Sequence, residues 1–156
     1  MRRRELLLAM PFSGSALAAP AQRGERVAWP VVRLLDGQAW TPLEGHAQVV
    51  VFWSLDCAFC ERHNAHVEKL HRAAQGRRLQ LLGAARGGDA AALRKHMAAR
   101  GWSFPVSLDV QPLAAALTVR RSVPVTVTVE ASGRLRDMIP GEMFEADVME
   151  LLRLAP

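Results

Sequence analysis

The chain contains two cysteines, Cys57 and Cys60, separated by Ala58 and Phe59. This spacing keeps the two sulfurs close enough to close and reopen a disulfide. The thiolate is the reactive form, and it is favoured where a cysteine stands at the N-terminus of a helix, since unpaired N–H groups give that end a partial positive charge. The spacing therefore predicts a redox-active pair, with Cys57 as the nucleophile and Cys60 as the resolving thiol.

The residues on either side of the pair predict a strand that leads into a helix. The apolar run at residues 49–53 is long enough for a buried strand and too short for a helix on its own. After the cysteines the pattern becomes helical, and glycine at position 76 predicts where this helix ends. The apolar positions that mark the helix are Phe59, Val67, Leu70 and Ala74.

Strands are predicted before and after this unit. Asp36-Gly37 is a hairpin turn signal between short strands at 31–35 and 38–41. Valine at alternate positions makes 123–129 the clearest strand of the chain. Further strands are predicted at 79–84, 104–108 and 135–139.

Three more helices are predicted among these strands. Asp89 is suited to N-cap a helix at 90–100 that Gly101 ends. A short helical turn follows Pro112 at 113–117. The last helix, 144–154, is amphipathic, with Phe144, Val148, Leu151 and Leu152 on its apolar face. Alternating strands and helices predict an α/β fold with a mixed central sheet, without internal repeats.

The composition is that of one soluble domain. A chain of 156 residues, half of them apolar, can bury a substantial core. The net charge of +5 arises in part from residues 2–4, and the other basic residues are scattered among acids. A basic surface with interleaved aromatic residues is not evident, so nucleic-acid binding is disfavoured.

The N-terminus predicts export. Three arginines precede an apolar segment at 6–12, and Ala16-Leu17-Ala18 fits a signal-peptidase site. We predict a signal peptide at 1–18, a flexible segment at 19–28 and one domain at 29–156, with the secretory or twin-arginine route left open. A disulfide persists in an oxidising compartment. A disulfide that closes so short a loop removes little chain entropy, so a purely structural bridge is disfavoured.

Four features of the chain occur together and in a characteristic order: the hairpin at Asp36-Gly37, Cys57-x-x-Cys60, Phe104-Pro-Val106 with Asp109, and the run from Val119 to Pro124. In this combination the chain resembles one family, the exported TlpA/ResA-type thiol–disulfide oxidoreductases. The resemblance implies a thioredoxin-like fold with an N-terminal β-hairpin extension and a periplasmic, monomeric protein. It also implies exchange with protein thiols and disulfides, a membrane-bound redox partner for recycling, and no cofactor or metal beyond the Cys57–Cys60 disulfide.

The same resemblance implies a substrate-binding surface. Pro124 would be a cis-proline facing the disulfide, and the backbone of Val123 would pair with an extended substrate segment. The alternative is an ordinary trans proline that opens a strand. The residues predicted to contact substrate are Val123, Pro124, Trp53, Ala58 and Phe59.

The chain also departs from the family pattern. Asp56 stands where tryptophan is common, and Val51 stands where thioredoxin has a buried aspartate. Asp56 and Glu61 place negative charge beside the cysteines and oppose thiolate formation. We therefore predict a disulfide reductase and disfavour a strong oxidant.

Two other readings stay open. Cys57, Cys60, His63 and His66 recur every third residue and are of metal-binding type, so a copper- or zinc-binding module is the alternative function. On a straight helix these four side chains spread over half the circumference and do not converge. The third reading is a non-catalytic partner of another envelope protein. The histidines predicted to lie on solvated helix faces are His63, His66, His71 and His96.

Overall fold

A mixed five-stranded sheet forms the centre of the computed structural model, which describes residues 19–118 and 120–156. In chain order the elements are β1 (Val32–Arg33), β2 (Ala39–Trp40), β3 (Ala47–Ser54), α1 (Ala58–Ala73), β4 (Leu79–Arg86), α2 (Ala90–Arg100), β5 (Val106–Ser107), α3 (Val110–Leu117), β6 (Val125–Val129), β7 (Leu135–Pro140), α4 (Glu145–Glu150) and a 3₁₀ turn at Leu151–Leu154. Along the sheet the strands follow the order β5-β4-β3-β6-β7; β3 is parallel to β4 and antiparallel to β6.

Strand β3 is apolar along its length because both of its faces are covered. Val49, Val51 and Trp53 belong to a core that includes residues of α1 and α2. Val50 and Phe52 belong to a second core that includes residues of α3 and of the β1–β2 hairpin. A strand buried on two sides reads as a continuous apolar run. The predicted α/β, thioredoxin-like fold with a hairpin extension is confirmed.

Local sequence chemistry fixes several boundaries as predicted. The Asp89 carboxylate accepts the N–H of Ala92 and caps α2, and Gly101 ends that helix in the left-handed conformation at φ 66°. Gly37, at φ 85°, supplies the turn of the β1–β2 hairpin. The strand predicted at 135–139 is β7, and it pairs antiparallel with β6.

Two helix predictions are wrong in detail. Helix α3 begins at Val110, ahead of Pro112, which occupies the first turn, where a missing N–H breaks no intrahelical bond. At the C-terminus, where one helix is predicted at 144–154, α4 ends at Glu150 and a 3₁₀ turn follows it. Val148 is buried there as predicted, but Phe144 is 83% exposed.

The segment predicted to be flexible, 19–28, is bonded to the sheet in its second half. The N–H of Gly24 donates to Leu135 O at 2.7 Å, and the N–H of Leu135 donates to Glu25 O at 2.9 Å. These bonds cover the outer edge of β7 at its first residue, which would otherwise expose unpaired backbone groups. The predicted signal peptide, 1–18, lies outside the described residues. Within the described ranges, no helix has the length and apolar character needed to cross a bilayer.

Gly83 of β4 lies where a side chain has no room. A Cβ there would come within 2.9 Å of Trp53 Nε1 and 3.0 Å of side-chain carbons of Phe104 and Val106. We expect Gly83→Ala to lower the free energy of unfolding by about 1–3 kcal/mol, the usual cost of overpacking a core. Urea unfolding of the variant and the parent measures this. Unchanged or increased stability would contradict it, since alanine is otherwise the better residue in a strand.

Candidate active site

Cys57 caps the N-terminus of α1, three residues after the end of β3. Its sulfur is disulfide-bonded to Cys60 and accepts the backbone N–H of Cys60 at 3.1 Å. The same N–H group and the partial positive charge of the helix end stabilise a thiolate on Cys57 once the disulfide opens. The strand–helix junction therefore gives Cys57 the setting of a nucleophile.

The two cysteines differ in their access to solvent. Cys60 is fully buried, whereas Cys57 is half-buried and Ala58 is exposed. Phe59 is 59% exposed, with the Arg62 guanidinium 5.1 Å from its ring centroid. Phe59, predicted to contact substrate, presents an apolar surface beside the disulfide; the contact with substrate itself stays a prediction.

The loop before β6 lies against the nucleophile. The Val123–Pro124 peptide bond is cis, as predicted, and Val123 O lies 4.0 Å from the Cys57 sulfur. Pro124 is buried and its carbonyl accepts the N–H of Gly141 at 2.8 Å. Val119, the first residue of the family-like run, lies outside the described residues. The structure thus brings Val123 to the disulfide, while its pairing with substrate stays a prediction.

Trp53 does not reach the surface. Its side chain is 1% exposed, and its ring centroid lies 6.0 Å from that of His96 and 6.1 Å from that of Trp102. The prediction of Trp53 as a substrate contact is wrong for this conformation, because the ring packs between the sheet and α2. Trp53 therefore belongs to the same core as Cys60 and supports the active site by packing.

The two acids beside the cysteines have different surroundings. Asp56 is exposed and directly precedes Cys57. The Glu61 carboxylate instead forms an ion pair with Arg100 and lies 3.1 Å from Nε2 of His96. Because Arg100 compensates the charge of Glu61, Asp56 carries most of the expected electrostatic effect on the thiolate. His96 packs against tryptophan and faces this carboxylate, so its predicted place on a solvated face is wrong.

His63 is a buried polar residue of the site that the sequence analysis placed in solvent. Its ring is completely buried, its Nδ1 accepts the N–H of Met143 at 3.2 Å, and its Nε2 lies 3.0 Å from Thr126 Oγ1. With Nδ1 accepting, the neutral ring carries its proton on Nε2 and donates it to Thr126. Burial lowers the pKa of His63 to about 4. The sequence did contain a signal of this burial, because His63 is four residues before the buried Val67 and so lies on the same face of α1.

The buried carboxylate of this region has a structural role. Val51, which the family resemblance places where thioredoxin has a buried aspartate, lies in the core. Glu68 on α1 accepts N–H groups of Ser103 at 2.7 Å and Phe104 at 3.2 Å and pairs with Arg72. Burial raises the pKa of Glu68, but these bonds lower it more, so the carboxylate stays ionised and holds α1 to the loop before β5.

The donor set for a metal does not assemble in the described part of the chain. Within 19–118 and 120–156, no three His, Cys, Asp or Glu side chains are grouped to hold an ion. Both ring nitrogens of His63 are occupied by protein partners. In this arrangement His63 is engaged by Thr126 and Met143 and does not join Cys57, Cys60 and His66 around one point.

Known proteins are similar to this chain in sequence and in fold. The thiol–disulfide oxidoreductase ResA of Halalkalibacterium halodurans is 25% identical over 136 residues, which span 86% of this chain and 77% of ResA. No family model matches the chain.

Among solved structures, a thiol:disulfide interchange protein of the thioredoxin family from Chlorobium tepidum superposes with a TM-score of 0.76 at 20% identity, over 88% of this chain and 99% of its own. StoA from Bacillus subtilis gives 0.66 at 15% identity, over 77% and 92%. A secreted Mycobacterium tuberculosis disulfide oxidoreductase, homologous to E. coli DsbE, gives 0.68 at 19% identity, over 79% and 93%. These structures show the fold, and the curated relative supports the resemblance found in the sequence.

Proposed function

We propose that this chain, a thioredoxin-fold thiol–disulfide oxidoreductase of the TlpA/ResA type, reduces disulfides of protein substrates outside the cytoplasm. The observation that carries the proposal is the position of Cys57, which caps α1 and faces the carbonyl of Val123 beside the cis bond. This arrangement places the Cys57 sulfur beside the backbone of Val123, where an extended substrate segment can lie.

The reaction is a two-step exchange that conserves atoms and electrons. The Cys57 thiolate attacks one sulfur of the substrate disulfide, forms a mixed disulfide and releases the other sulfur as a thiolate. Cys60 then loses its proton, attacks the Cys57 sulfur and releases the second substrate thiol. The substrate gains two electrons and two protons, and Cys57 and Cys60 are left as a disulfide. A redox partner, which we propose is membrane-bound, then supplies two electrons and two protons that reduce this disulfide again.

The surface around Cys57 suits a polypeptide substrate. Ala58 and Phe59 are exposed on one side of the sulfur and Val123 borders the other. We propose that the substrate pairs with the backbone of Val123 and packs an apolar residue on Phe59. The protein acts as a monomer in this scheme.

The electrostatics favour the reducing direction. Asp56 opposes the thiolate of the adjacent Cys57, so the reduced form gives up its electrons more readily. We expect a reduction potential near that of thioredoxin, about −270 mV. Equilibration with defined ratios of reduced and oxidised glutathione measures it. A value near −120 mV, at the oxidant end of the range, would contradict the proposed direction and leave the exchange chemistry standing.

The location rests on the N-terminal sequence. Residues 1–18 have the basic, apolar and small-residue regions of a signal peptide, and one structural neighbour is described as secreted. Expression of the full chain in a bacterial host, with cell fractionation and N-terminal sequencing, tests this. A cytoplasmic protein that keeps Met1 would contradict it.

A further inference from the structure

Asn64 is an anomaly beside the active site. Its side chain is completely buried on α1, and neither its Oδ1 nor its Nδ2 has a hydrogen-bond partner in the described residues. Burying an amide without partners costs on the order of 1–3 kcal/mol. Because nearly all buried polar groups of native proteins are paired, an exception next to reactive residues calls for a functional explanation.

The position of Asn64 on the helix points to Cys60. The two residues are four apart on α1, so their side chains are neighbours on one face, with Cβ atoms roughly 5–6 Å apart. Side chains of a helix lean toward its N-terminus, which directs the Asn64 amide toward Cys60. Both residues are fully buried, so water does not compete freely for this contact.

The other buried polar side chains of α1 are already engaged. His63 bonds to Thr126 and Met143, and Glu68 bonds to Ser103, Phe104 and Arg72. In the disulfide form the Cys60 sulfur is committed to Cys57 and takes no bond from Asn64. Reduction breaks the sulfur–sulfur bond, adds two electrons and two protons, and leaves Cys60 as a thiol or thiolate that accepts hydrogen bonds.

We propose that Asn64 is a positioning residue for Cys60, whose amide is unpaired in the oxidised protein and donates to the Cys60 sulfur in the reduced protein. The inference rests on the proposed function and refines it. A bond present only after reduction stabilises the reduced form, so Asn64 raises the reduction potential and offsets part of the effect of Asp56. It also holds Cys60 ready to resolve the mixed disulfide.

Asn64→Leu, which keeps the size and removes the amide, tests the proposal. We expect the equilibrium with glutathione to move about tenfold toward the disulfide, which corresponds to about 30 mV. Alkylation of Cys60 in the reduced variant should also move to higher pH. Thr128→Val is the matched control, since its buried hydroxyl bonds to the N–H of Asp137 in the β6–β7 pair. It should leave both readouts unchanged.

A purely structural role for Asn64 gives a different result. Asn64→Leu would then change the unfolding free energy of the oxidised and reduced proteins equally, and an unchanged potential would overturn the proposal. If the leucine variant does not fold, the wild-type protein still decides: the side-chain NH₂ resonances of Asn64 should shift on reduction, and static resonances would overturn it. A wild-type protein without a reversible dithiol equilibrium would instead refute the proposed function.

Discussion

Cys57→Ser should eliminate disulfide exchange, leaving insulin reduction at the rate of dithiothreitol alone, a loss of about 10³-fold or more, as expected for removing a catalytic nucleophile. The reason lies in the asymmetry of the pair. Cys57 is the half-buried sulfur that caps α1 beside Val123, whereas Cys60 is fully buried and cannot meet a substrate first. Insulin turbidity with dithiothreitol as the electron source measures the rate.

Cys60→Ala is the matched control for this experiment, because it keeps the nucleophile and removes only the resolving thiol. This variant should attack substrate once and accumulate a mixed disulfide through Cys57, visible as a covalent adduct on non-reducing gels. A passive binding protein would capture nothing. Exchange that persists in Cys57→Ser, or an adduct that forms through Cys60 instead, would refute the assigned roles.

Acid should destabilise the protein through His63. Burial lowers the pKa of this ring from 6.5 to about 4 in the folded state, with His66 adding to the shift and Glu142 opposing it. Below pH 6.5 the His63 ring therefore binds a proton in the unfolded chain, whereas in the folded chain it stays neutral until the pH approaches 4. The stabilisation is complete above pH 6.5 and is lost as the pH falls toward 4. Between pH 7 and pH 5 the linkage amounts to about 2 kcal/mol.

Urea unfolding at pH 7 and at pH 5 measures this effect. His63→Gln should flatten the dependence, because glutamine offers an amide to Thr126 and Met143 and does not titrate in this range. His46→Gln, in the loop before β3, is the control because His46 takes no part in the shift of His63, and it should keep the slope of the parent. If His63→Gln and the parent lose equal stability on acidification, the buried ring does not govern the acid response.

Local chemistry in the sequence carries much of the fold and part of the site. The Asp89 and Gly101 caps bound α2 as expected because each acts on backbone atoms within a few residues. The Cys57–Cys60 pair at a strand–helix junction is likewise a local pattern, and so is the turn at Gly37. These features depend on the spacing of residue types and need no knowledge of distant partners.

What the sequence did not predict depends on distant contacts. The partners of His63 are 63 and 80 residues away, so helical periodicity could place its face and could not say what covers that face. The prediction for Phe144 is wrong for the converse reason. Its spacing from Val148 is that of one helix face, but Val148 is buried and Phe144 is exposed. The charge of Glu61 was misjudged because its counterion, Arg100, lies on another helix.

The attachment of residues 24–27 to β7 sets an order of assembly. These residues leave the ribosome early, yet their partners are made much later; the Arg134 guanidinium, for example, reaches Gly24 O across 110 positions of sequence. While synthesis is in progress the early segment has no strand to bind. When β7 first forms, its outer edge is open to any strand nearby. This early segment therefore docks only after β7 has been made, and its arrival covers the start of that strand's outer edge.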